Sequence, residues 1–272
     1  MKRQNYLFLL IIYVVTLSSC KEDNINESGT ICSQDYLFAE NLFNDINRIV
    51  EEAFIYNGEL KSCPEYTLMN QDTSNTDTII IDFGDGNPDD CLLYGKERRG
   101  KIIITFSGKY RDSLSIIRTT FDHYYTNNNW IQGEYIITNH GKNQQGNIMF
   151  SNEVIGGSIT TNNGTINYNS NMLKEWISGS NTFSDIYDDK YVMNGTAYGN
   201  SSNDQDFEVT IVEDLYIDQT CFTENYCIIS SGNIELTPLG YTKRYLEYGD
   251  TTCDCNVKVN LNNSEYSLVI DN

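Results

Sequence analysis

The stretch KIIITFSGKY, residues 101–110, decides the fold of this chain. Apolar Ile102, Ile104 and Phe106 alternate with polar residues such as Lys101, which gives the segment a period of two. This period predicts a β-strand with one buried and one solvated face, as in antiparallel sheets.

The same alternation recurs far along the chain, in DFEVTI at 206–211 and in NVKVNL at 256–261. Turn signals such as Asn162-Asn163-Gly164 separate the strand-like segments roughly every 10–15 residues, and strands joined by short connections are usually neighbours. We therefore predict a mostly β fold, a large antiparallel up-and-down curved sheet. It forms either a half-barrel or a sandwich, as one domain over residues 32–272.

One segment, about residues 34–57, has helical periodicity instead. Its apolar positions recur every three or four residues, at Phe38, Leu42, Ile46, Ile49, Val50 and Ala53. The other face is polar and consists of Asn41, Asn44, Asp45, Asn47, Arg48, Glu51 and Glu52. This pattern predicts an amphipathic N-terminal helix, capped by Ser33, that packs one face against the sheet. We expect the helix to plug the concave side of the sheet or to cover an opening.

The first 20 residues have the three parts of an export signal. Lys2 and Arg3 are positive, residues 6–15 are apolar, and Leu17-Ser18-Ser19 leads into Cys20. The apolar run is too short to span a bilayer, which takes about 20 helical residues. The Leu-Ser-Ser-Cys sequence resembles the lipobox of bacterial lipoproteins. This resemblance implies that residues 1–19 are a signal peptide and that Cys20 carries palmitate-type acyl chains as a membrane anchor.

Residues 20–31 are polar and poor in apolar side chains, so we expect them to form a flexible tether. The acidic pair Glu22-Asp23 beside Cys20 resembles the surface-export signal of lipoproteins from the Bacteroides–Flavobacterium group. That resemblance implies an outer-membrane location, at the cell surface or on the periplasmic face.

The charge of the chain excludes several classes of partner. The net charge is −20 and becomes −22 when residues 1–19 are removed, because they contain two cations and no acid. A polyanion repels phosphate groups, so we expect no nucleic-acid partner and no electrostatic docking on anionic lipids. The membrane is then reached through the lipid. The chain has 20 tyrosines and two tryptophans, and aromatic rings stack on sugars and bind apolar molecules, so a glycan or a small apolar molecule is the expected ligand.

Seven cysteines remain beside Cys20, and an exported chain permits disulfides. The odd number leaves at least one free thiol, and six paired cysteines allow 15 connectivities. We expect Cys255 to be the buried free thiol, because it shares a strand face with Val257 and Val259. The cysteines expected in disulfides are Cys63, Cys91, Cys221, Cys227 and Cys253.

The most acidic segment is DFGDGNPDD, residues 82–90. Its carboxylates are hard ligands of the kind that calcium prefers, although their spacing is not that of an EF-hand. We predict a calcium site on Asp82, Asp85, Asp89 and Asp90, and no other cofactor. The string also resembles the signature of PKD-type immunoglobulin-like domains, which would cover residues 78–138 only. It lacks that family's preceding Trp and its later His-x-Tyr strand.

No catalytic set stands out in this sequence. His123 alternates with Phe121 and is expected on the packed side of a strand, whereas Trp130 is expected on the solvent side. The favoured hypothesis is a non-catalytic, lipid-anchored binding or structural protein of the envelope. The alternatives are a carrier of a lipid or other small apolar ligand in a half-open barrel, and a carbohydrate hydrolase with paired carboxylates.

Overall fold

A computed structural model describes residues 28–56, 63–69, 76–86, 91–182, 184–262 and 264–270. The long helix α1 (Ser28–Tyr56) precedes the strands, and a short helix α2 (Phe222–Asn225) interrupts them. The strands are β1 (Glu65–Met69), β2 (Asp77–Asp82), β3 (Cys91–Leu93), β4 (Lys96–Phe106), β5 (Ile116–Thr126), β6 (Asn129–Lys142), β7 (Ile148–Thr161), β8 (Gly164–Ser178), β9 (Lys190–Asn200), β10 (Asp206–Asp218), β11 (Ile229–Pro238), β12 (Arg244–Asp250), β13 (Asn256–Leu261) and β14 (Ser264–Val269).

All 14 strands of the described residues belong to one antiparallel sheet. Their spatial order follows the chain from β1 to β14, except that β3 lies off this path as a hairpin partner of β4. The predicted up-and-down antiparallel sheet is therefore confirmed, and a single sheet is found in place of a sandwich. Residues 78–138 lie within it, in β2 to β6, so the separate PKD-type domain is wrong.

The long strands bend at register shifts, where one strand has an extra residue against its partner. In β6 the shift lies between Gln132 and Glu134, at Gly133 with φ +108°. A Cβ atom on Gly133 would lie 2.6 Å from the carbonyl oxygen of Gly156, so only glycine lets these two strands approach. Such bulges increase bending and twist, which a sheet needs in order to curve around another element.

Helix α1 begins at Ser28, six residues before the predicted start. The last residues assigned to the tether are therefore helical, and the rest of the tether lies outside the described residues. Ser33 lies inside the helix and is fully buried, so its predicted role as the N-cap is wrong.

The curved sheet and its connections bury most of α1. The supposedly solvated face is buried along with the apolar one, since Asn47, Arg48 and Glu52 are at most 2% exposed. Helix residues contact strands as distant in the sheet as β4 and β10, through the pairs Asp45 with Arg98 and Tyr36 with Phe207. The helix therefore plugs the concave side of the sheet, and its polar face is directed at polar side chains of the strands.

One buried cluster joins the middle of α1 to β4. Arg98 donates from Nη2 to Oδ2 of Asp45 at 2.8 Å and from Nη1 to the hydroxyl of Tyr124 at 2.6 Å. Lys96 places its Nζ 3.8 Å from the same Asp45 oxygen. Burial raises the pKa of Asp45, but the charges of Arg98, Lys96 and Arg48 outweigh it and hold the pKa below its usual value.

Arg48 forms a second contact between the helix and the rest of the fold. Its guanidinium lies over the rings of Tyr94 and Phe222, 3.6 Å and 3.3 Å from their centroids, and pairs with Glu52 at 2.9 Å. Tyr94 in turn donates its hydroxyl proton to Glu52 at 2.7 Å. The charge of this buried cation is thus balanced by an acid of its own helix and by two aromatic faces, while Nε and Nη2 of Arg48 have no hydrogen-bond partner among the described residues.

Three disulfides occur in the described residues: Cys63–Cys91, Cys221–Cys253 and Cys227–Cys255. All five cysteines expected to pair are in these bonds. The prediction that Cys255 is the free thiol is wrong, because Cys255 pairs with Cys227. The free and fully buried thiol is Cys32 in α1, near the hydroxyl of Ser201.

No helix in the described ranges combines the length and the apolar composition needed to cross a membrane. The signal peptide and Cys20 lie outside these ranges, so the lipid anchor stays a prediction.

Candidate functional site

An open cleft of about 530 Å³ lies where the end of β2 meets β4 and β5. Ile102 and Ile104 of β4 are fully buried toward α1, so Lys101 between β2 and β5 faces the opposite, outer side of the sheet. The lining residues are Asp82, Gly84, Asp85, Arg99, Gly100, Lys101, Asp122, His123 and Tyr125.

A bulge in β5 opposite Gly100 shapes the cleft. The register between β4 and β5 shifts between Arg99 and Lys101, and Gly100 has φ +83°. Its N–H donates to the carbonyl of Gly84 at 2.7 Å, which holds the end of β2 against the bulge. A Cβ atom here would lie 2.0 Å from the carbonyl oxygen of His123. Glycine is therefore required at this position for β4 and β5 to keep their spacing.

A row of alternating charge crosses the cleft. Lys101 is directly opposite Asp82 on β2 and Asp122 on β5. Its Nζ lies 2.7 Å from Oδ2 of Asp82. This hydrogen bond lowers the pKa of Asp82 and raises the pKa of Lys101. The other Asp82 oxygen accepts from the N–H of Gly84 at 2.9 Å, so the carboxylate is fixed at both ends.

His123 is on the outer face and not on the packed side as predicted. Its side chain is 83% exposed, and Nδ1 lies 2.7 Å from Oδ1 of Asp122. The simple alternation fails because the register of β5 against β6 shifts between Thr120 and Tyr125, and His123 itself has φ +47°. Residues in a bulge leave the period of two, so counting along the strand assigns the wrong face.

An aromatic pair forms one wall. The guanidinium of Arg99 lies 4.0 Å from the centroid of the Tyr125 ring and donates to Oδ1 of Asn128 at 3.0 Å. Trp130 stacks with Tyr125 at a centroid distance of 6.2 Å. Trp130 is half-buried by this contact. The predicted solvent-facing Trp is therefore a supporting residue of the wall.

The comparisons with known proteins found nothing: no protein family, no curated protein and no solved structure matches this chain.

Two of the four predicted calcium ligands, Asp82 and Asp85, line the cleft, while Asp89 and Asp90 lie outside the described residues. Within the described ranges, no group of three or more His, Cys, Asp or Glu side chains is arranged to hold a metal ion. Both oxygens of Asp82 already have partners. The calcium site stays a prediction.

The cleft brings charged side chains of both signs to one surface, where they can bind a polar ligand. Its described lining contains no Ser, Thr or Cys that a base could activate as a nucleophile. Asp82 and Asp122 lie on either side of Lys101, two strand spacings or about 10 Å apart. A glycosidase acid needs a raised pKa, whereas the pKa of Asp82 is lowered.

A second pair of carboxylates is inaccessible. The hydroxyl oxygen of Tyr191 lies 3.2 Å from Oε1 of Glu51 and 3.4 Å from Oδ2 of Asp189. The two carboxylates are therefore close enough to each other for the carboxylate pair of a glycoside hydrolase. They are 4% and 0% exposed, and the adjoining cavity measures only about 60 Å³. A sugar ring does not reach them, and we assign this pair to the packing of α1.

Sequence analysis identified two lining residues of the cleft, Asp82 and Asp85, both in the acidic segment 82–90. Arg99, Lys101, Asp122 and His123 were missed as a group, because the pairing of β4 with β5 brings them together.

Proposed function

We propose that this chain is a lipid-anchored, non-catalytic protein of the bacterial envelope that binds polar ligands on the outer face of its sheet. The observation that carries the proposal is the position of α1, which occupies the concave side of the sheet where a carrier's ligand would lie. Small-molecule sites measure roughly 300–1,000 Å³.

The cavities found against α1 are far smaller than that range, at about 80, 60 and 10 Å³. The two ligand-sized spaces, of about 530 and 390 Å³, are on the outer surface. This distribution favours a surface-binding protein over a carrier of apolar ligands.

The cleft at His123 offers donors and acceptors of both signs: three carboxylates, a guanidinium, an ammonium and an imidazole. Such a lining suits a ligand rich in hydroxyl groups, so we assign the cleft to a glycan. The lipobox and the strongly negative charge support export and anchoring at the outer membrane, at the surface or on the periplasmic face.

The anchor is tested by growing the bacterium with an alkyne analogue of palmitate and comparing the parent with the Cys20→Ser variant. We expect label and membrane association in the parent alone. A membrane-impermeant biotin reagent on intact cells then separates the two faces. Equal membrane retention of both forms would contradict the lipid anchor.

The cleft is tested by NMR of the histidine side chains, because the chain contains only two histidines. Maltose and glucuronic acid serve as a neutral and an acidic saccharide. We expect a saturable shift of the His123 signal with His140 unchanged, and loss of that shift in Asp122→Asn. If neither sugar moves the His123 signal, the glycan assignment is wrong.

A further inference from the structure

A second groove, of about 390 Å³, lies at the far side of the sheet from the His123 cleft, where β9, β10 and β11 meet the turn after β11. Its lining residues are Tyr198, Gly199, Asp206, Phe207, Glu208, Thr237, Pro238, Leu239, Gly240 and Tyr241. None of these lining residues belongs to α1 or to the cleft described above.

Three large apolar side chains are exposed within this one groove. Tyr198 is 60% exposed, Leu239 is 68% exposed and Tyr241 is 38% exposed. Single exposed apolar residues are ordinary on protein surfaces, but a cluster around a concavity is typical of a binding site. Phe207 lies on the opposite, buried face of β10, where its ring contacts Tyr36 of α1.

The polar part of the groove is acidic. Glu208 is directly opposite Tyr198 on β9 and Thr237 on β11, and Asp206 precedes it on the same face of β10. The lining contains no Lys, Arg or His. Asp206 accepts from Nδ2 of Asn200 at 3.0 Å, and no cation contacts Glu208 within the described part of the chain. The groove therefore has two carboxylates beside aromatic rings and no compensating positive charge of its own.

The walls of the groove are held in place before any ligand arrives. The N–H of Leu239 donates to the carbonyl of Asp206 at 2.8 Å, and Nε2 of Gln205 donates to the carbonyl of Leu239 at 2.9 Å. The N–H of Tyr241 closes the turn on the carbonyl of Pro238 at 3.1 Å. A pre-formed wall lowers the ordering entropy that binding would otherwise cost.

We propose that this groove binds a small organic cation, with its ammonium group between the Tyr198 ring and the Glu208 carboxylate and its alkyl part on Leu239. A cation over an aromatic face is attracted by the ring quadrupole, and the nearby carboxylate adds Coulomb attraction. An anion would be repelled by both acids. A purely apolar ligand would remove water from the carboxylates without replacing their hydrogen bonds. The negative field of the whole chain also concentrates cations at its surface.

The test uses the purified full chain in a non-ionic detergent, with choline as the cation and 3,3-dimethylbutan-1-ol as its uncharged counterpart of the same shape. Titration is followed by calorimetry and by NMR. We expect saturable binding of choline, and binding of the alcohol at least about fivefold weaker, the size of one lost cation–π contact. The His123 signal stays unchanged, which separates this site from the glycan cleft.

Glu208→Gln and Tyr198→Ala are each expected to weaken choline binding about fivefold, while Tyr198→Phe retains it. Glu213→Gln is the matched control, because Glu213 is exposed on the same strand but outside the groove. Thermal unfolding checks that every variant folds. The proposal is overturned if choline shows no saturable binding or binds no more tightly than the alcohol. It is also overturned if Glu213→Gln weakens choline binding as much as Glu208→Gln does, or if maltose displaces choline.

Discussion

Replacing Asp45 by Asn is expected to destabilise this protein by about 3–5 kcal/mol, the cost of removing one partner of a buried ion pair. The carboxylate lies 2.8 Å from Arg98 and 3.8 Å from Lys96, and the three side chains are 6%, 0% and 10% exposed. One charge pair at about 4 Å is worth about 4 kcal/mol at an effective dielectric constant near 20. Loss of the charge leaves Arg98 and Lys96 buried beside a neutral amide. The variant does not have to desolvate a carboxylate, which offsets part of this cost.

The free energy of unfolding is measured with guanidinium chloride, followed by tyrosine and tryptophan fluorescence with the disulfides intact. Asp35→Asn is the matched control. It is the same change in the same helix, but Asp35 accepts from the backbone N–H of Ser202 and not from a cation. An amide oxygen can replace that acceptor, so we expect a loss below about 1 kcal/mol.

The double variant Asp45→Leu with Arg98→Met completes the test. Because a buried pair costs desolvation, removing both charges is expected to destabilise less than Asp45→Leu alone. If Asp45→Asn costs no more than Asp35→Asn, the polar face of α1 is solvated and the burial of the helix by the sheet is refuted.

Three further predictions concern other parts of the fold. Burial raises the pKa of Asp189 to about 8, so between about pH 4 and pH 8 the folded chain holds a proton that the unfolded chain has released. The free energy of unfolding therefore falls as the pH rises through this range. Asp189→Asn is expected to reduce this pH dependence, measured as guanidinium midpoints at pH 5 and pH 8. Gly100→Ala is expected to lower the free energy of unfolding by well over about 1 kcal/mol and to disturb the cleft, because the new Cβ meets a carbonyl of β5. Gly84→Ala is the control, because Gly84 has φ +80° but open space around it, so only backbone strain is added. The melting temperatures of the two variants compare these losses. Alkylation in denaturant without reductant, read by mass spectrometry, is expected to label Cys32 and not Cys255, and the reverse pattern would contradict the disulfide pairing.

Only some residues of the candidate site could be predicted from the sequence. The string at 82–90 identified Asp82 and Asp85 by composition, because acids beside glycines suggest ligands wherever they fold. His123 lies about 40 residues away and reaches the same cleft through strand pairing. Period-two counting assigned it to the wrong face, because a bulge inserts an extra residue that no local pattern reveals.

The largest surprise is the polar face of α1. Its spacing correctly predicts a helix, since periodicity is a local property of the chain. The pattern shows which residues share a face but not what lies opposite that face. Here Arg98 of β4 and Tyr94 in the turn before it supply partners, and a face that is normally solvated becomes buried.

By itself, the sequence determined the antiparallel up-and-down sheet, the N-terminal helix and the polyanionic surface. Side-chain alternation, short connections and net charge are fixed by residues near one another in the chain. Only the tertiary structure decided that the sheet curves around the helix, which cysteine stays free and which charged residues meet in the cleft. Those outcomes depend on strand register and curvature, which are set by contacts between residues far apart in the sequence.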